Sequence, residues 1–498
     1  MIILVGSKID QASIQGSLGK PEYSYFFLMR DFVPALERLG RVHIVESTEQ
    51  IETLCECYRA AGEAVVFFSF SPPHQVPLGL SCPTVVVFAW EFDSLPSIVW
   101  DDNPQNDWRY TFANLQGVVC TSREAARLVE SHTPADFPVI ALPAPVWDRY
   151  GAGRVPQRLP LHLGGRQFPF AGVVIDSPTL GLSADGLVRK PGEAPPESSA
   201  HAGTQAQPPE SVRFAETWQL SKALLRSWWR EVRQPLAPAS ASAAGAPQEP
   251  EARTTAEAPL QPIAVDGVVY TTVLNPADSR KNWIDVVTAF CWAFKHNDDA
   301  TLIVKMTHHD LEFYRIVLIT LLSRLAPFRC RVIVLHGFLE DAQYRELIEV
   351  STYYVNASSG EGLCLPLMEF LSSGKPAIAP VHTAMADYVT ADMAFLLQTA
   401  LEPFCWPHDP TGVFATHRHR LNWQSLLEAF KTSYRIARGD PERYLEMSRH
   451  AAQAMQAFAS IDVVAKPLAS FVGDLLQRNE APRSQWPNLI QQDASVMS

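Results

Sequence analysis

Short apolar runs alternate along this chain with stretches in which apolar positions recur at helical spacing. In the first half, Ile2 to Val5, Arg41 to Glu46, Ala64 to Phe70, Thr84 to Trp90, Gly117 to Thr121 and Val139 to Pro143 read as buried strands, with helical patterns between most of them. In the second half, Val268 to Leu274, Thr301 to Met306, Arg331 to His336, Tyr353 to Ala357 and Pro376 to Ala379 repeat the pattern. Apolar strands separated by helices form parallel sheets covered on both faces. The expected fold class is therefore α/β, with one doubly wound, Rossmann-like domain over residues 1–150 and a second over 265–421. From Asn422 to about Gln477 apolar residues keep helical spacing and strand signals are few, which predicts a set of helices within a tail spanning 422–498.

The two halves are separated by residues 151–264, a stretch rich in Pro, Ala, Ser, Glu and Gly, with the densest runs near Pro191 to Pro209 and Pro235 to Pro259. Such a composition buries too little apolar surface to offset ordering, so the insertion is expected to be partly disordered. An island within it, near 214–233, places Phe214, Trp218, Leu225, Trp229 and Val232 on one helical face beside Lys222, Arg226, Arg230 and Arg233. This pattern suits either an anionic membrane surface or, as the favoured reading, packing on the protein's own surface.

At 498 residues the chain has room for two large cores and an insertion. With 41 Lys and Arg against 53 Asp and Glu, its formal net charge of −12 gives nucleic-acid binding no support, so any phosphate must be met locally. Eight scattered Cys residues show neither zinc-finger spacing nor a disulfide framework. The opening Met1-Ile-Ile-Leu-Val-Gly-Ser7 lacks a basic leader and reads as a strand, and no apolar run approaches membrane-spanning length; a cytoplasmic protein is expected, with peripheral contact at the inner membrane left open by the island helix.

The segment richest in chemistry is Ser358-Ser-Gly-Glu361-Gly-Leu-Cys-Leu-Pro-Leu-Met-Glu369-Phe-Leu-Ser-Ser-Gly-Lys-Pro376. Tyr353 to Ala357 reads as the strand before it, and Pro366 suits the first turn of the helix after it, where its missing N–H is not needed. Glu361 then sits on a strand-to-helix loop and Glu369 in the first turns of a helix whose N-terminus offers N–H groups to an anion. This segment resembles the Glu-x7-Glu motif of retaining GT-B glycosyltransferases of the bacterial group 1, or family 4, type, matching it at Glu361, Gly362, Leu365, Pro366, Glu369, Gly374 and Pro376. The resemblance implies two Rossmann-like domains facing a cleft, with the first carrying the acceptor and the second the nucleotide-sugar donor. It also implies that Glu369 binds the ribose, that Glu361 contacts the donor sugar, and that amides near Gly362 and Leu363 meet the diphosphate.

Cations for a diphosphate come from Leu274-Asn-Pro-Ala-Asp-Ser-Arg280-Lys281-Asn, which runs from a strand end into a helix. Lys281 falls on the family's lysine, whereas the family's arginine position holds Pro276, leaving Arg280 as its substitute. Both would stabilise the departing diphosphate. Lys305, at another strand end, is either a third cation on the donor or a solvated terminal lysine. On the acceptor side stand the loop Gly6 to Gly19, represented by Gly16, then His74 after the third strand, and Glu91 in a Trp-Glu-x4-Pro pattern similar to a segment of some group 1 enzymes. Glu91 follows six apolar residues and must end in a cleft or an ion pair.

The resemblance implies transfer of a sugar from a nucleoside-diphosphate sugar to a glycan or lipid-linked acceptor, with retention of configuration, the leaving phosphate taking the acceptor proton. Polysaccharide or lipopolysaccharide assembly in a bacterium is the natural setting of such enzymes. No Asp-x-Asp pair marks a metal site, so neither a divalent ion nor another cofactor is expected. A nucleotide-sugar epimerase of the same fold and a non-catalytic scaffold of that fold are the alternatives.

Overall fold

The computed structural model describes residues 1–9, 13–20, 22–151, 163–183, 260–308, 310–406, 409 and 412–480. Its first sheet consists of β1 (Ile2–Ser7), β2 (Arg41–Ile44), β3 (Val65–Phe70), β4 (Thr84–Phe88), β5 (Gly117–Cys120) and β6 (Val139–Ala141). All are parallel, in the order β2-β1-β3-β4-β5-β6. β3, β4 and β5 are buried along their whole length, which is why they read as unbroken apolar runs. The order reverses at β1, with β2 on one side and β3 on the other, so the loops leaving β1 and β3 flank a crevice at the carboxyl edge.

The second sheet is larger than the sequence suggested. β7 (Arg166–Phe170), β8 (Val173–Asp176) and β9 (Gln261–Val265) precede β10 (Val268–Leu274), β11 (Ala300–Met306), β12 (Arg331–His336), β13 (Tyr353–Val355), β14 (Ala377–Pro380) and β15 (Ala394–Leu397). The order is β15-β14-β13-β10-β11-β12-β8, parallel except for β8, which pairs antiparallel with β12 at the edge. This order turns around at β10, between β11 and β13. Both halves are therefore doubly wound parallel sheets, as the alternating pattern predicted.

The boundary at 265 needs correction. β7 and β9 pair with each other, and their Phe168, Phe170, Ile263 and Val265 are buried with Val269, Ile303, Ile333 and Leu335 of the second domain. Arg331 forks onto Asp176, at 2.9 Å through Nε and 2.7 Å through Nη2, fastening the edge strand. The flanks of the expected insertion thus belong to the second domain. They escaped notice because Pro169 and Pro262 face each other in the β7–β9 ladder, and proline argues against a strand except at an edge. The disorder expected within 191–209 and 235–259 and the helix expected at 214–233 lie outside the described residues.

β16 (Thr399–Cys405) and β17 (Ala415–Leu421), also unforeseen, form an antiparallel hairpin of alternating exposure. The tail is helical as expected, over Trp423–Gly439, Pro441–Ala459 and Ile461–Glu480. Asn422 and Asp440 cap the first two by accepting the amides of Ser425 and Arg443. The last helix returns across the first domain. Its Phe471, Val472 and Leu475 join the core that holds Val118 and Val119, and a Cβ on Gly117 would lie 2.8 Å from the Phe471 ring. Among the described residues no helix is long and apolar enough to cross a membrane. One disulfide, Cys55 to Cys82, ties the helix Gln50–Ala60 to the entry of β4, where the sequence had suggested no pairing.

Candidate active site

The switch at β10 brings two loops together: 275–282, leaving β10, and 356–364, leaving β13. They are laced by Arg280 Nη1 to the Gly360 carbonyl (2.7 Å), the Ser359 amide to the Arg280 carbonyl (2.8 Å) and Asn282 Nδ2 to the Ala357 carbonyl (2.8 Å). Asn282 and Cys364 both take left-handed backbone conformations immediately before their helices, φ +49 and +65. Pro366 occupies the first turn of the helix Leu365–Ser372, as predicted, which places Glu369 in its second turn.

Glu361 is the centre of this junction. Lys281 Nζ reaches its two oxygens at 2.7 and 2.8 Å, Arg280 Nη1 reaches Oε2 at 2.9 Å, and Ser358 Oγ and Asn356 Nδ2 donate to Oε1 at 2.5 and 3.1 Å. The residue is only 3% exposed. Burial by itself would raise its pKa, but the charges of Lys281 and Arg280 and the bonds from Lys281 and Ser358 outweigh burial and hold it far below the usual carboxylate range.

The first domain contributes directly to the cluster. Glu91 Oε1 lies 3.0 Å from Arg280 Nε, which is also 2.9 Å from Asp278 Oδ2. Glu91, expected on the acceptor side, is thus ion-paired with Arg280 of the second domain, and burial raises its pKa despite Arg280. Two cations, Arg280 and Lys281, thus face three carboxylates, Glu91, Asp278 and Glu361. Gly362 is required by contact: a Cβ there would come within 2.7 Å of the Trp90 nitrogen and 2.9 Å of the Ala89 carbonyl carbon. Its carbonyl accepts from Thr121 Oγ1 at 2.6 Å, and that of Leu363 accepts from the Tyr388 hydroxyl at 2.9 Å.

Glu369 occupies a separate setting. Tyr344 donates to its Oε2 at 2.6 Å, and the nearby charges are Asp31, Arg30 and Arg149, with Arg149 bridging Asp31 at 2.9 Å and Asp341 at 2.8 Å. Burial and the negative Asp31 push its pKa up to about 7, against the pull of the Tyr344 bond and of the two arginines. Lys305 also stands apart. It is buried at the end of β11 with Nζ 3.4 Å from the Met306 carbonyl, and burial draws its pKa down to about 7. A solvated strand-end lysine is therefore excluded.

Gly16 and His74 fall on the loops that flank the first sheet's switch point. Gly16 is exposed, with nothing within 4 Å of a Cβ built on it. Farther along the same loop, Gly19 accepts from Asn275 Nδ2 at 3.3 Å and abuts His308, so this loop reaches the second domain. His74 lies parallel to Trp108, centroids 6.2 Å apart, and Trp108 in turn packs on Trp90 at 4.5 Å, one residue from Glu91. The structure therefore unites Arg280, Lys281, Glu361, Gly362 and Glu91, and leaves Glu369, Lys305, Gly16 and His74 in other settings.

Sequence reasoning missed four polar residues beside Glu361. Asn356 and Ser358 bond its carboxylate, and Thr383 Oγ1 accepts its amide at 3.0 Å. His382, in the loop after β14, is 4% exposed and stacks on His419 of β17 with centroids 4.1 Å apart. A polar pair directly after the apolar Ala377 to Val381 was the available signal. The β16–β17 hairpin also reaches the first domain: Asp93 accepts from Thr416 Oγ1 and His417 Nδ1, both at 2.7 Å, and Trp406 packs on Trp90 and Trp100.

Chemically, a diphosphate could be met here by Arg280 and Lys281 and a sugar by Glu361 and its polar neighbours. A cavity of about 240 Å3 is lined by Thr121, Arg123, Leu142, Asp387 and Phe458 among others, and is small for a nucleotide sugar. No family model matches the chain, and no curated protein is detectably similar to it. Similar solved structures include HepE of Anabaena in complex with UDP, at 11% identity over 95% of this chain and 100% of that one, TM-score 0.48. A glycosyltransferase of Rickettsia africae ESF-5 shows 9% identity over 96% and 98%, TM-score 0.48, and sucrose-phosphate synthase of Thermosynechococcus elongatus 11% over 96% and 99%, TM-score 0.45. Likeness at this level carries no information on chemistry.

Proposed function

We propose that the protein is a glycosyltransferase that moves a sugar from a nucleoside-diphosphate sugar to a glycan or lipid-linked acceptor hydroxyl, with retention of configuration. The observation that carries this reading is the convergence of Arg280, Lys281 and Glu361 at the switch point of the second sheet, where α/β sheets place their ligands. The motif resemblance at Glu361 to Pro376 supports the retaining stereochemistry.

In this reading the diphosphate meets Arg280 and Lys281 through guanidinium and ammonium hydrogens that Glu361 does not use, so Glu361 keeps the cations that hold it ionised. The two cations then stabilise the charge that grows on the leaving phosphate as the glycosidic bond breaks. Glu361, kept ionised, accepts hydroxyl hydrogens of the sugar. The acceptor hydroxyl passes its proton to the leaving phosphate on the same face, so no base on the protein is needed for that step. In this reading a ribose hydroxyl bonds Glu369 beside the Tyr344 hydroxyl, which takes Oε2.

The test is a screen of UDP-glucose, UDP-N-acetylglucosamine, GDP-mannose and related donors for binding and for slow release of the nucleoside diphosphate. One donor class should be bound and hydrolysed, and Glu361→Gln should lower release by a factor of roughly 10² or more, the scale of a lost transition-state contact. Binding of none of them would sink the reading.

A further inference from the structure

His382 holds a buried nitrogen with no hydrogen-bond partner, one loop away from Glu361. Its Nε2 is sealed from solvent and bonds to nothing in the protein, although the whole residue is only 4% exposed. Buried polar atoms are almost always satisfied, and leaving one unsatisfied costs about 1–3 kcal/mol. The protein keeps such an atom beside the proposed sugar-contacting carboxylate.

The chemistry of that atom follows from its neighbours. Thr383 Oγ1 gives its single proton to the His382 carbonyl at 2.8 Å and accepts the Glu361 amide at 3.0 Å. Its contact with His382 Nδ1, at 3.3 Å, therefore requires Nδ1 to be the donor. Burial and the adjacent His419 draw the ring's pKa down to about 3, outweighing Glu361 and the Ser358 carbonyl, so the imidazole is neutral. With the proton on Nδ1, Nε2 presents a lone pair. His419, flat against the ring at an interplanar angle of 4° and tied through its amide to the Ser359 carbonyl at 2.9 Å, fixes the orientation.

A buried lone pair repels phosphate oxygens and accepts only from a donor such as O–H. We infer that His382 is a specificity-determining residue of the donor site, whose Nε2 accepts a hydrogen bond from a hydroxyl of the transferred sugar. This rests on the glycosyltransferase reading and extends it: Lys281 and Arg280 recognise the diphosphate, while Glu361 and His382 recognise the sugar as two acceptors, one charged and one neutral. A donor sugar lacking the hydroxyl that meets Nε2 would leave the lone pair unpaired, and discrimination by polar sites of this kind is stronger than discrimination by apolar fit.

The experiment compares binding of a nucleoside diphosphate with binding of its sugar conjugate, using UDP with UDP-glucose and GDP with GDP-mannose, in the wild type, in His382→Ala and in His382→Phe. The phenylalanine keeps a ring against His419 and guards against loss of fold. Both variants should bind the diphosphate within about twofold of wild type and lose roughly tenfold in affinity for the sugar conjugate, the scale of one hydrogen bond. One singly deoxygenated sugar should reproduce that loss in the wild type and cause no further loss in the variants. Equal losses for the diphosphate and its conjugate, or unchanged affinity for the conjugate in both variants, would overturn the assignment. A wild type that binds the diphosphates but none of their conjugates would overturn it too, and one that binds neither would overturn the glycosyltransferase reading beneath it.

Discussion

Glu361 and Glu369 belong to one short segment, are both nearly inaccessible to water at 3% and 5% exposure, and have opposite electrostatic fates. Glu361 is met head-on by Lys281 and Arg280 and stays ionised; Glu369 has Tyr344 as its direct partner and Asp31 nearby, and its pKa climbs to about 7. Burial is the largest influence on each. What separates them is whether cations sit within bonding distance, because attraction in a poorly solvated site falls steeply with separation and with the number of competing anions. The contrast also divides the chemistry. A carboxylate held ionised can stabilise positive character on a sugar, whereas one that titrates near neutrality responds to its surroundings.

The largest effect should come from breaking the contact that makes Glu361 different. Lys281→Ala removes both of the short bonds to Glu361 and, in the proposed mechanism, a cation on the leaving phosphate. Turnover should fall by about 10²–10³ with a smaller change in donor affinity, since the contact strengthens as charge develops. The same change leaves a buried carboxylate less compensated. Because its folded pKa is depressed, the stability it contributes is present above about pH 4.5 and is lost as pH falls; the variant should therefore show less of this acid dependence. Steady-state kinetics and unfolding midpoints at pH 4 to 8 would check both. Near-normal turnover in a folded Lys281→Ala, with Arg280→Ala inactive, would move the diphosphate clamp to Arg280.

The places of both carboxylates were legible in the sequence, but the contrast between them was not. The strand pattern located both sheets, and the loops holding Arg280, Lys281 and Glu361 followed from strand ends and Pro366. Glu91 was visible as a charge after an apolar run, yet its partner could not be read, since Arg280 lies 189 positions away in the chain, 280 less 91. Glu369 was placed on the correct helix, while its neighbours Asp31, Arg30 and Arg149 arrive from the first domain by tertiary packing. The β7–β9 pair was hidden by its prolines, and the β16–β17 hairpin by strands such as Ala415 to Leu421 whose histidines and arginines alternate without an apolar face.

A middle-sized effect is expected at Glu369. Its folded pKa is raised, so its favourable contribution is complete below about pH 4.5 and disappears as pH rises through about 7. Glu369→Gln keeps an acceptor for Tyr344 and removes the titration. Relative to wild type, the variant should gain up to about 3 kcal/mol in unfolding free energy between pH 4.5 and pH 8. Denaturant titrations across that range measure it. Parallel curves for the two proteins would show that Glu369 is ionised when folded, and the two carboxylates would then be alike.

The smallest effect belongs to a third carboxylate that joins the two domains, and it tests whether burial is needed for the contrast at all. Asp93 holds the β17 strand through Thr416 Oγ1, the His417 amide and His417 Nδ1, but the His417 and Asp93 side chains are 46% and 42% exposed. Partial burial raises its pKa, and the bonds from Thr416 and His417 lower it by more. Water screens this cluster as it cannot screen Glu361. Asp93→Asn retains an oxygen for Thr416 and removes the charge, so the loss should be about 0.2–1 kcal/mol and should shrink at high salt. Unfolding midpoints at low and high ionic strength would measure it, with donor turnover followed in parallel. A salt-independent loss beyond about 2 kcal/mol, or a turnover defect approaching that of Lys281→Ala, would mean that the hairpin is coupled to the Glu361 cluster through His419 and His382, and that solvent exposure does not divide the structural carboxylates from the chemical ones.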